Sequence, residues 1–193
     1  MNFLEERILR DGQVFGNDIL KVDSFLNHQL DPSLLSQIGE AFHERFKDCG
    51  ITKILTIEAS GIAIACFAAM KFNVPVVFAK KARSNNLGTD VYQTMVHSFT
   101  YGRDYMVTVS RKYISPEDKI LIVDDFMANG LAMEGLIDLC HQGGATVEGI
   151  GICIEKGFQA GGKLLREKGY RVESLAIVEE MGENGIRFRE QAS

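Results

Sequence analysis

The segment Ile120-Leu-Ile-Val-Asp-Asp-Phe-Met-Ala-Asn-Gly130 limits this chain more than any other. Its apolar run from Lys119 to Val123 reads as a strand buried on both faces, and such strands belong to parallel sheets covered by helices. A helical pattern follows at once through Leu131, Leu136 and Leu139. The turn between strand and helix carries two carboxylates and then only small residues. In open parallel sheets, ligands bind at the carboxyl ends of strands, so this turn marks the place to look for chemistry.

The rest of the chain repeats the strand–helix alternation. Asp31-Pro32 supplies an N-cap and an N1 proline ahead of Leu35, Ile38, Phe42 and Phe46, which share one helical face and run to Gly50. Lys53–Ile57 reads as a strand, Gly61–Lys71 as a buried helix and Pro75–Phe78 as the next strand. After Pro116 come helix Gly130–Gln142, strand Val147–Ile154, helix Gly161–Lys168 and strand Val172–Val178. The expected architecture is α/β: a mainly parallel sheet with helices on both faces, in one domain over residues 1–193. Met1–Gly12 reads as an amphipathic helix and Gln13–Leu30 as an irregular cap, so residues 1 to about 30 form a small hood. Between Ala82 and Ser110 the pattern breaks into a polar stretch, Ser84–Asp90, and two alternating runs, Gln93–Phe99 and Tyr105–Val109, which predict a flexible loop with a β-hairpin.

Composition excludes several classes. With 46% hydrophobic and 24% charged residues and only 3 prolines, the chain is neither disordered nor collagen-like. A net charge of -5 offers no global field for a polyanion, so nucleic acid is not an expected partner and an anionic ligand must be held locally. Cys49, Cys66, Cys140 and Cys153 show no C-x-x-C pair and read as buried free thiols of a reducing, cytoplasmic protein. His28, His43, His97 and His141 form no compact ligand pattern and read as surface or helix-face residues. The longest apolar stretch, Gly61–Met70, falls short of the ~20 residues that span a bilayer.

The turn at 124–132 suits a phosphorylated sugar. Loop amides and a helix N-terminus favour an anion without a basic side chain. Two aspartates cannot serve that anion, but they suit hydroxyl groups or a metal ion. An acid/base carboxylate pair is the competing reading, since carboxylates ~4 Å apart at dielectric 20 repel by ~4 kcal/mol. Pleating points consecutive strand residues to opposite faces, which disfavours it.

On these residues, Val123–Gly130 resembles the phosphoribosyl pyrophosphate (PRPP) motif of the type I phosphoribosyltransferases. Thr56-Ile-Glu-Ala-Ser-Gly61 resembles their pyrophosphate loop, Val77–Lys81 the strand before their lid, and Ile152–Phe158 their purine-contacting strand. With Leu20–Gln29, the set resembles the bacterial xanthine-specific members from about Leu20 to about Leu175. The resemblance implies transfer of 5-phosphoribose from PRPP to xanthine, giving xanthosine monophosphate and pyrophosphate for purine salvage. It implies Ala128, Asn129, Gly130, Leu131 and Ala132 around the 5-phosphate and Asp124 and Asp125 at the ribose hydroxyls. It places Glu58, Ala59, Ser60, Gly61, Lys80 and Lys81 on the pyrophosphate side, with Arg83 and a closing lid. Leu20, Asn27 and Lys156 match base-binding positions, and Phe158 is placed to stack on the purine. Magnesium is expected through PRPP or pyrophosphate with no direct protein ligand, and the assembly as a homodimer.

Two features set this chain apart. Related enzymes often carry Thr where Asn129 and Ala132 stand, and hydrogen bonds to a charged group contribute ~1.5–3 kcal/mol. Ala128 occupies the position where hypoxanthine-guanine enzymes place an aspartate near purine N7, so a side-chain base is absent there. Alternatives remain a hypoxanthine/guanine or adenine phosphoribosyltransferase, or a non-catalytic PRPP-sensing regulator. The DNA-binding regulators of this kind carry an N-terminal winged helix, for which residues 1–19 are too few.

Overall fold

The computed structural model describes residues 1–82, 90–98 and 103–191. The expected lid segment, Arg83 and the connection between the two alternating runs fall largely outside them. Helix α1 (Phe3–Asp11) starts in a capping box, with Asn2 Oδ1 accepting from the Leu4 and Glu5 amides and Glu5 returning a bond to the Asn2 N–H. A short antiparallel hairpin follows, β1 (Gln13–Phe15) and β2 (Ile19–Lys21), and then a π-helical turn at Asp23–Asn27. The stretch read as an irregular cap is therefore partly ordered in strands.

Helix α2 (Pro32–Phe46) begins as its sequence predicts, with Asp31 accepting from Ser33 N–H at 3.0 Å and Leu34 N–H at 3.2 Å. The sheet core comprises β3 (Lys53–Ile57), α3 (Gly61–Phe72), β4 (Val76–Ala82), β5 (Val91–Ser98), β6 (Arg103–Ser110), β7 (Lys119–Met127) and α4 (Leu131–Gln142). It is completed by β8 (Thr146–Lys156), α5 (Gly161–Glu167), β9 (Val172–Gly182) and β10 (Gly185–Phe188). Among the described residues the large sheet has the order β10-β9-β8-β7-β3-β4-β6-β5. The five strands from β9 to β4 are parallel, and β10, β6 and β5 add antiparallel edges.

Alternation along β7 explains the two-sided burial. Leu121 and Val123 join the core beneath α1, α2 and α3, whereas Ile120 and Ile122 join the one beneath α4. The helix α2 lies close on the sheet because Gly149 and Gly151 in β8 leave room for rings. A Cβ there would lie 2.3 Å from Phe46 Cε1 and 2.9 Å from Phe42 Cε1, respectively. No helix among the described residues is long and apolar enough to cross a membrane. Of the four thiols, Cys140 and Cys153 are buried as expected, but Cys66 is exposed and Cys49 partly so. Cys66 sits on the outer side of α3, whose all-round apolar sequence hides which face meets the sheet.

Candidate active site

A cleft of about 550 Å³ opens over the carboxyl ends of β7 and β8. Its floor is Asp125 and the turn Ala128–Ala132, and its walls include Ser60, Lys156 and Tyr105. The hood supplies the roof through Ile19, Leu20 and Asn27. A larger cavity of about 1120 Å³ lies between the β1 and β9–β10 hairpins, but it contains none of the carboxylate, phosphate-loop or lysine positions.

The strand β7 continues four residues past its apolar run, so both aspartates are strand residues. Asp125 N–H donates to Asp124 Oδ1 and Phe126 N–H to Asp125 Oδ1, each at 2.9 Å. Both side chains thus curl along the strand, and the carboxyls interact despite the pleat that was expected to separate them. Burial, then the Asp125 charge and a hydrogen bond with its carboxyl, push the Asp124 carboxyl well above the usual range. Asp125 borders the cleft, whereas Asp124 lies beneath it against Gly61. The raised pKa of Asp124 has a stability consequence. The native state holds the Asp124 proton more tightly than the unfolded chain, so stability falls as pH rises from about 3.8 through the native value. Asparagine reproduces the protonated form, with an oxygen for Asp125 N–H and an amine for its carboxylate. Asp124→Asn is therefore expected to raise Tm in neutral and alkaline buffer, and the gain to vanish in acid. Thermal unfolding across pH checks this, and a lower Tm at every pH would refute it.

The phosphate-type turn is tightly made. Gly130 has φ +86°, a conformation for which glycine is suited, and Asn129 Oδ1 accepts from Leu131 N–H at 3.2 Å. Any donation from Asn129 to an anion falls to its Nδ2 end. From the hood, Asn27 Nδ2 donates to Asp125 Oδ2 at 3.2 Å, while Asn27 Oδ1 is buried with no partner among the described residues. A buried acceptor left unmatched is costly and suits a ligand donor. Lys156 Nζ donates to the Asp18 carbonyl at 2.6 Å, tying β8 to the hood, and burial lowers its pKa.

The remaining expected positions divide. Ser60 borders the cleft and Gly61 opens α3, but Glu58 is turned back onto β4, its Oε1 accepting from Lys81 N–H at 2.7 Å. Ala59 lies in the turn and does not line the cleft. Lys81 rests its ammonium 5.4 Å from the Tyr105 ring, on the cleft side, and its charge reaches Asp124. Lys80 is on the other face of β4, over Phe78, because strand neighbours alternate. Phe158 leaves the cleft as well: Gly157 N–H donates to Val178 O at 2.8 Å, which turns the chain toward β9 and points Phe158 into the larger cavity. Sequence reasoning missed Tyr105 and His97, which line the cleft from the hairpin, His97 pairing with Asp104 across it at 2.6 Å. Period-two alternation marked those residues as strand but not which face meets a ligand. Burial, and then the Asp124 charge, raise the Tyr105 phenol.

The model for the phosphoribosyl transferase domain matches residues 28–187. The chain belongs to the phosphoribosyltransferase family. Among curated relatives, a xanthine phosphoribosyltransferase from Ruminiclostridium cellulolyticum is 58% identical over 98% of this chain and all of its own length. One from Bifidobacterium adolescentis is 59% identical over the same shares, and one from Clostridioides difficile 58%. The adenine phosphoribosyltransferase of Giardia lamblia, solved with 9-deazaadenine, superposes with TM-score 0.76 at 21% identity, over 92% of this chain and 98% of that one. That of Trypanosoma brucei, solved with AMP, pyrophosphate and ribose-5-phosphate, gives TM-score 0.75 at 19% identity, over 91% and 80%. These structural likenesses establish the type I phosphoribosyltransferase fold for this member of the family.

Proposed function

We propose that this phosphoribosyltransferase joins xanthine to the 5-phosphoribosyl group of PRPP, releasing pyrophosphate. The observation that carries the reading is that one cleft contains both halves of such a substrate pair. Ala128–Ala132 and Asp125 line it together with Leu20, Asn27 and Lys156. The 5-phosphate takes the small-residue turn at the N-terminus of α4, where amides and the helix dipole favour an anion. Asp125 accepts from the ribose hydroxyls, and Asp124 supports it from behind through its own carboxyl and the Asp125 N–H it accepts.

Transfer builds positive charge at the anomeric carbon and negative charge on pyrophosphate, so positioning and electrostatics suffice without a covalent nucleophile. Ser60, Lys81 and the amides around Ala59 face the departing pyrophosphate. Lys156 offers donors and no acceptor, which favours an oxygen at the purine six position over the amino group of adenine. Asn27 Oδ1, buried and unmatched, accepts a purine N–H. The site suits magnesium carried by substrate phosphates: Asp125 is the carboxylate on the cleft wall, and the three-ligand cluster among the described residues, Glu40–His43–Glu44, lies away on α2. Bound there, magnesium would neutralise charge on the pyrophosphate. The homodimer, which rests on the resemblance, and the cytoplasmic location, which rests on the unpaired thiols, belong to the same proposal.

Pyrophosphate release from PRPP and magnesium, measured with xanthine, hypoxanthine, guanine, adenine and no base, tests the reading. Xanthine is expected to give the highest kcat/KM. Dominance of adenine would reassign the base, and PRPP binding without release from any base would favour a sensor.

A further inference from the structure

Behind the phosphate turn lies a buried ionic network that the proposed chemistry does not use. Glu155 on β8 is 2% exposed and pairs in register with Met127, the residue immediately before Ala128. Arg166 on α5 holds it in a two-point fork, Nη1 to Oε1 and Nη2 to Oε2, both at 2.8 Å. Ser174 on β9 donates to Oε2 from the other side. Burial alone would raise the Glu155 carboxyl, but the bonds from Arg166 and Ser174 outweigh it and keep the group ionised.

This fork, with Leu165 in the core, fixes a helix of seven residues, and that helix touches the turn directly. Gly162 sits on Glu155 so closely that a Cβ would lie 1.9 Å from Oε1. Gly161 N–H donates to Ala128 O at 3.1 Å, and a Cβ on Gly161 would lie 2.5 Å from both Ala128 O and Gly130 N. A Cβ on Gly130 would in turn lie 3.0 Å from Gly161 Cα. The backbone of α5 is thus the wall against which the turn is formed. A buried ion pair is a poor way to gain stability alone, since apolar packing does as well or better.

We propose that Ser174, Glu155 and Arg166 are positioning residues that set the 128–130 turn through Gly161 and Gly162, and thereby tune affinity for the sugar phosphate. The inference rests on that turn being the 5-phosphate site. Glu155→Gln, Arg166→Lys and Gly161→Ala should share one signature in the full chain. Kd and KM for PRPP rise about tenfold, the loss of roughly one charge-assisted hydrogen bond, while kcat and the KM for xanthine at saturating PRPP stay within about threefold. Arg166→Lys keeps the charge at a partly exposed position and serves if Glu155→Gln does not fold. A lowered Tm and active fraction with unchanged PRPP affinity would make the network merely structural and overturn the proposal. So would a change confined to the xanthine KM. Gly130→Ala separates the two layers of argument. If it weakens PRPP and the network variants do not, only the network fails; if it too leaves PRPP affinity unchanged, the phosphate reading itself falls.

Discussion

Asp125→Asn is expected to lower kcat/KM with xanthine and PRPP by about 10²- to 10⁴-fold while Tm moves by only a few degrees. The carboxylate borders the cleft and is 8% exposed, and the lone pairs left beside its bonds from Phe126 N–H and Asn27 Nδ2 are open to a ligand. Two ribose hydroxyl bonds to a charged acceptor contribute ~1.5–3 kcal/mol each, and each ~1.4 kcal/mol is tenfold in rate. The fold loses far less. Asparagine keeps an oxygen for the Phe126 N–H now bound at 2.9 Å, and its amine, standing where Oδ2 accepts from Asn27 Nδ2 at 3.2 Å, is met by Asn27 Oδ1 once that amide turns over. It also removes the negative charge that raises Asp124. Steady-state kinetics beside thermal unfolding decide the matter: equal losses in both would mean that Asp125 is structural.

The chemistry itself obscured part of the fold in the sequence. Ile120–Val123 announced a doubly covered strand because burial on both faces demands an apolar run. The strands β4, β7, β8 and β9, however, continue beyond their apolar stretches through Lys80 and Lys81, Asp124 and Asp125, Glu155 and Lys156, and Glu179 and Glu180. Charged residues at strand ends break the hydrophobic pattern where ladder bonding still holds the backbone, and several of these lie at or beneath the cleft. The hood hairpin and β10 were illegible for another reason: strands of three or four residues offer too few positions for a period. Within the site, the turn 128–132 and Asp125 were readable because the carboxylates and small residues follow a doubly buried strand, at the carboxyl end where open parallel sheets bind ligands. Lys80 and Phe158 matched by position yet point elsewhere, since facing depends on pleat and on the turn at Gly157. Gly161 and Glu155 carried no signal because their roles lie in contacts made by distant residues.

The second large effect concerns the packing beneath Asp124. Gly61→Ala is expected to destabilise the protein by about 1–3 kcal/mol, the usual cost of overpacking, or roughly 2–12 °C in Tm for a chain of this size. At this position a Cβ would lie 2.0 Å from Thr56 Oγ1 and 3.0 Å from Asp124 Oδ1. Thr56 is fully buried and cannot swing aside into solvent. The new methyl must therefore push the start of α3 away from the ends of β3 and β7, moving Ser60 and the pyrophosphate turn with it. Activity should fall further than stability, because a displacement of tenths of an ångström matters more to a reacting geometry than to a core. The Thr56 hydroxyl has no hydrogen-bond partner among the described residues, so its removal forfeits no bond. Thr56→Ala alone should be mild, and in the Gly61→Ala background it should restore most of the lost stability, a coupling of about 1–2 kcal/mol between touching residues. Denaturant unfolding of the two single variants and the double variant measures that coupling. If the double variant loses the sum of the single losses, crowding against Thr56 is not what makes glycine necessary at the head of α3.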